Sequence, residues 1–196
     1  MTNERVLLQA FAGRCTGWSY DHVQVDDSVT VASRSTPQGF HTLKLGLTWK
    51  RRSWRVHLTA TTAFLLPDED PSEGMGRSTM RFLTHPSMLD PRWPNEWQYL
   101  QGTNPEPLVH ILGEVYEQTL EPHLRVVSSL TGLVRFMLED YQPGMFLEPR
   151  ASWSFDKALK LAQLLEPGAH EGVQVALRAR AQALGITPWD NVFKSC

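Results

Sequence analysis

The stretch FHTLKLGLTWKRRSWRVHLTATTAF, residues 40–64, decides the fold. Leu43, Leu45, Leu47 and Trp49 fall on one side of an extended chain, with Thr42, Lys44, Gly46 and Thr48 on the other. After the basic run the alternation resumes with Trp54, Val56, Leu58, Ala60, Thr62 and Phe64. A period of two means strands with one buried and one wet face. Two such runs with a short polar interval between them make an antiparallel hairpin. Lys50, Arg51 and Arg52 then occupy the reversal, and Trp49 and Trp54 meet across it on the inward side. The tip has two readings. It is a solvated charged turn flanked by two core tryptophans, or it is a basic finger of Lys50, Arg51, Arg52 and Arg55 for an acidic partner or nucleic acid.

Outward from the hairpin, Val23 and Val25, an Asp26-Asp27 turn, then Val29 and Val31 extend the alternating pattern toward the N-terminus. Before them, NERVLLQAFAG places Val6, Leu7, Ala10 and Phe11 at helical spacing, with Gly13 as the stop. From 67 to 104 the pattern dissolves into Pro, Gly and charge; RFL at 81–83 reads as a further strand, and NEWQYL at 95–100 as a strand or a helical turn. Beyond Pro105 the period becomes helical. Leu108, Ile111, Leu112, Val115, Tyr116 and Leu120 share a face, and Pro122 is expected to end or bend that helix. A second helix carries Leu130, Leu133, Val134, Met137 and Leu138 behind an N-cap at Ser128 or Ser129. SFDKALKLAQLLE and GVQVALRARAQALG, parted by Pro167-Gly168, read as a helical hairpin. The expected fold is α+β: an N-terminal helix, an antiparallel meander of four to five strands, and C-terminal helices on one face of the sheet. Residues 1–196 are expected to form one domain, with 1–104 holding the first helix, sheet and irregular segment, and 105–196 the helical half.

Composition narrows the function classes. The net charge of −2 provides no global attraction to nucleic acid or an anionic membrane. Two cysteines, Cys15 and Cys196, make neither a disulfide framework nor a thiolate metal site. No run reaches the roughly 18 apolar residues of a membrane span. The early Glu4 argues against a secretory signal, so a cytoplasmic location is expected. Neither a metal nor a cofactor is expected. EGMGRST fails as a phosphate-binding loop: Pro71 stands where the first glycine belongs, and Arg77 replaces the lysine. The acidic run Asp68-Glu69-Asp70 reads as solvated charge. His110 and Glu114 share a helical face beside the apolar stripe, which suits a core-boundary histidine better than a ligand pair.

Two constellations remain in the irregular segment. His85, with Asp90 and Glu96 nearby in sequence, is the candidate acid–base site of a small hydrolase-type enzyme. Arg92, Trp93, Trp97 and Tyr99 have the composition of an interface anchor set, held by Pro91 and Pro94. The alternative is that these rings close the sheet against the helices.

The order of elements, with the strand FHTLKLGLTW, the helix–break–helix PHLRVVSSLTGLVRFML and the helix FDKALKLAQLL, resembles an uncharacterised bacterial domain-of-unknown-function family over roughly residues 4–165. The resemblance implies a small bacterial cytoplasmic protein without known catalysis, some of whose relatives resemble immunity proteins of toxin systems. It carries over no functional residue. The expected function is therefore a non-catalytic protein-binding module of immunity or inhibitor type. The His/carboxylate enzyme and the nucleic-acid binder using 50–55 are its rivals.

Overall fold

The computed structural model describes residues 3–65, 79–147, 151–165 and 168–186. The acidic run 68–70, the EGMGRST stretch and the C-terminal tail with Cys196 lie outside the described residues, as does any pairing of 50–55 with 68–73.

Helix α1 spans Asn3–Gly17 and buries Leu7, Leu8, Phe11 and Cys15, spaced so that 7, 11 and 15 stack on successive turns. It runs through Gly13, the expected stop. A side chain there would meet nothing, so the glycine only weakens the helix locally, by about 1 kcal/mol relative to alanine. Termination comes later, around Ser19, whose φ of 62° turns the chain into the sheet.

Six strands follow: β1 His22–Val25, β2 Val29–Thr36, β3 Gly39–Lys50, β4 Ser53–Leu65, β5 Thr79–Thr84 and β6 Trp97–Tyr99. The first five form an antiparallel meander in chain order. The expected four to five strands become six because β6 also pairs with β4. The register shows how. Thr84 lies opposite Ala60, and Trp97 opposite Val56, so thirteen residues of chain advance only four positions along β4. One edge strand is interrupted by an excursion that contains the short helix α2, Pro86–Leu89.

Leu43, Leu45 and Leu47 of β3 lie opposite Ala60, Leu58 and Val56 of β4, as the alternation requires. All six are buried. Helices cover this face only. α3 (Glu106–Val115), a π-helical turn (Tyr116–Leu120) and α4 (Glu121–Val126) form one continuous run, so Pro122 does not end the helix. Proline lacks an N–H and its ring collides with the carbonyl four residues back. The widened turn, closed by the Glu121 N–H donating to the Tyr116 carbonyl, absorbs that defect. α5 (Leu130–Glu139) is capped by Ser129, whose Oγ accepts from the Gly132 N–H at 3.0 Å. α6 (Ala151–Ala162) and α7 (His170–Ala183) pack as the expected hairpin.

The apolar interior falls into two clusters. One joins α1, α3 and most of the sheet; the other gathers α5, α6 and α7 around Phe64 and Phe82. The outer edge of β5 is occupied: the Leu147 N–H donates to the Leu83 carbonyl at 2.7 Å, and Lys157 Nζ to the Arg81 carbonyl at 2.7 Å.

Candidate functional site

The acid–base candidates do not hydrogen-bond to one another. His85 caps α2, its Nδ1 accepting from the Ser87 N–H at 3.3 Å and lying 2.9 Å from Ser87 Oγ. Burial, helped by the nearby His57, lowers the His85 pKa, which suits a neutral capping ring. Asp90 is clasped by Arg92 at 2.6 Å. Glu96 lies 3.2 Å from Arg55 and 3.9 Å from His57. Asp90 and Glu96 each have a basic partner, while the buried His85 Nε2 has no hydrogen-bond partner among the described residues. His110 is solvent-facing, 3.5 Å from Glu114, and is not the core-boundary residue expected from its place beside the stripe. Cys15 is buried, and burial pushes its thiol up to about 12, far from a reactive thiolate. Among the described residues no group of three or more His, Cys, Asp or Glu is arranged to hold a metal.

The aromatic set divides by depth. Trp97 and Tyr99 alternate inward on β6 and are buried; the Tyr99 hydroxyl donates to the Thr103 carbonyl at 2.7 Å. Trp93 is half-buried, its Nε1 donating to Thr119 Oγ1 at 2.8 Å. Arg92 is exposed over the Trp93 ring at 5.9 Å. These rings tie the excursion 85–96 to the sheet and to the π-helical turn. What they present to solvent is Arg92 and one side of Trp93.

The hairpin tip is different. Arg51 and Arg52 form a two-residue turn with φ of 51° and 68°. Positive φ at both central positions defines the tight hairpin turn that normally takes Asn-Gly. Trp49 and Trp54 do meet across it, edge to face at 5.1 Å. Trp49 is not a core residue, however: it is 48% exposed. β2 begins opposite Gly46 and the Leu47 N–H still reaches the Ser28 carbonyl, so among the described residues 48–50 have a strand neighbour on one side only. Trp54 is held by its Nε1 donating to the buried Glu4 at 2.7 Å.

The sheet face away from the helices forms an open trough of about 630 Å³. Registered rows cross it: Ser33, Thr42, Thr61 and Leu83; then Val31, Lys44 and Thr59; then Val29, Gly46 and His57; then Thr48 and Arg55. Ser33, Thr42, Thr48, Thr59 and Thr61 bring hydroxyls to the floor. Lys44, His57 and Arg81 line it, and Arg55 and Lys50 continue the same face toward the tip. The carboxylate of Glu96, at the Arg55 end, is already engaged by Arg55 and His57.

On the opposite face lies a polar cluster that the sequence reading missed. Arg34 of β2 grips Glu121 with both nitrogens, at 2.7 and 3.3 Å. The Tyr116 hydroxyl donates to the same carboxylate, and Arg125 Nε donates to it at 2.9 Å. Burial opposes the Glu121 charge, but these donors outweigh it and hold its carboxyl below the usual range. His41 lies 3.4 Å from Arg34, and burial together with that guanidinium pushes its pKa down to about 4. Trp18 stacks on Tyr116 at 4.0 Å. The cluster locks the π-helical turn onto the sheet. One signal was available: Arg34 occupies an inward position between Ala32 and Thr36. Its partner, 87 residues away, was not legible locally.

Comparison with protein-family models, with curated proteins and with solved structures finds no match to this chain.

Proposed function

We propose that this chain is a non-catalytic protein-binding module, of immunity or inhibitor type, that offers the hairpin tip Lys50, Arg51, Arg52 and Arg55 to an acidic protein. The observation that carries the reading is the pair of arginines at positive φ. A left-handed conformation costs a non-glycine residue about 1–2 kcal/mol, and the turn needs nothing an arginine supplies. Strain held in this way points to a role outside the fold. The absence of a hydrogen bond among His85, Asp90 and Glu96 favours binding over catalysis.

The test is affinity capture with two baits, the native chain and one carrying Lys50→Ala, Arg51→Ala, Arg52→Ala and Arg55→Ala. A protein retained by the first and absent from the second supports the reading. Equal recovery by both baits refutes it. A nucleic-acid binder would use the same finger with the exposed Trp49 ring. It would instead show affinity for a single-stranded oligonucleotide that falls steeply with salt.

A further inference from the structure

Gly46 sits inside the longest hairpin of the molecule, yet nothing in the fold requires a glycine there. Its φ is not in the left-handed region, and the pairing passes through it on both sides without a bulge. A side chain built on it would meet no atom within 4 Å. Gly39, in the same strand, shows the contrast, because a Cβ there would lie 1.9 Å from the Ala63 carbonyl oxygen. Glycine weakens a strand interior, and where the fold does not explain it, it marks a close approach by another chain or ligand. Gly46 lies on the floor of the open trough, beside His57 and between Lys44 and Thr48.

From this we infer that the trough is the seat of an acidic segment of a partner protein, whose backbone passes over Gly46 while its carboxylates reach Lys44, His57 and Lys50. This rests on the binding-module reading and adds the seat and the chemistry of the occupant. Charge complementarity selects the occupant, since Lys44 lines the trough and Lys50 lies on the same face. Threonine and serine hydroxyls on the floor can donate to carboxylates or to backbone carbonyls. A single-stranded nucleic acid fits less well. Its bases need flat rings to stack on, and among the described residues Phe40 is the one aromatic ring other than His57 lining the trough.

The probe is a fluorescein-labelled twelve-residue peptide of alternating Glu and Ala, titrated with the full chain in 50 mM NaCl and read by anisotropy. Gly46→Leu fills the trough without changing charge; Gly46→Ala is the milder version should leucine disturb the fold. Lys44→Glu inverts a trough charge, and Arg178→Glu makes the same charge change on exposed α7. Binding by the native chain, a loss of at least tenfold in Gly46→Leu and in Lys44→Glu, and a change within twofold in Arg178→Glu support the inference. If leucine disturbs the fold, a clear loss in Gly46→Ala takes its place. The inference is overturned by folded Gly46 variants that bind like the native chain, or by equal losses in Lys44→Glu and Arg178→Glu. Absence of peptide binding, or tighter binding of a twelve-nucleotide RNA, overturns it as well. If captured partner is lost from the tip variant but retained by Gly46→Leu, the trough is not the seat and the binding-module reading stands.

Discussion

Replacing Arg51 by Asn and Arg52 by Gly should stabilise the protein. Both residues sit at positive φ, and each left-handed non-glycine residue carries about 1–2 kcal/mol of strain. Asn-Gly is the pair this turn prefers. Glycine takes back about 0.5–1 kcal/mol through the freedom of the unfolded chain. The net gain is then about 1–2 kcal/mol. For a chain of this length that raises Tm by about 2–8 °C, at roughly 2–4 °C per kcal/mol. Scanning calorimetry and urea unfolding at pH 7 measure it. Work in 0.5 M NaCl screens the relief of like-charge repulsion, leaving the backbone term. Arg51→Lys with Arg52→Lys is the control, since it keeps charge and strain together and should leave Tm unchanged. No rise in the Asn-Gly variant, or an equal rise in the Lys-Lys control, refutes the strain argument. A stabilised Asn-Gly variant that also loses its partner would tie the strain to function.

Stability should fall with acid. His123 is buried against Phe136 at 5.0 Å, and burial, with His41 nearby, pushes its pKa down to about 4. The unfolded chain binds its proton near pH 6.5, so the contribution is complete above that pH and is lost progressively as pH falls toward 4. The loss is on the order of 3 kcal/mol, and urea titrations of His123→Gln across that window should show a shallower decline than the native chain. Glu121→Ala strands the half-buried Arg34 and the Tyr116 hydroxyl, and should cost about 3 kcal/mol in urea unfolding. The two β3 glycines should respond with opposite sign: Gly46→Ala gains about 0.5–1 kcal/mol. Gly39→Ala, blocked by the Ala63 carbonyl, lowers Tm.

The hairpin was legible because Leu43, Leu45 and Leu47 face the core under a rule that needs only sequence spacing. The helices at 106–120 and 130–139 were legible for the same reason. Pro122 misled as an end to the helix because its local chemistry forbids an ordinary helical turn, whereas a widened one depends on what surrounds it. Gly13 misled in the same direction, since burial of Leu7, Leu8, Phe11 and Cys15 holds α1 together past a weak position. Trp49 has the alternation of a core residue, but its exposure depends on where β2 begins, which its own neighbours in sequence do not encode. The site was legible in part. The basic tip could be read directly, while the trough exists only once four strands are laid side by side, and the Arg34–Glu121 link only once the chain has closed on itself.

The occupied edge of β5 bears on how this molecule behaves in a crowd. A bare strand margin recruits other chains. Here the Leu147 amide and the Lys157 ammonium already take up the Leu83 and Arg81 carbonyls. Two outward carbonyls of this strand are thereby withheld from any visiting strand, at a margin where contact would propagate into fibrils.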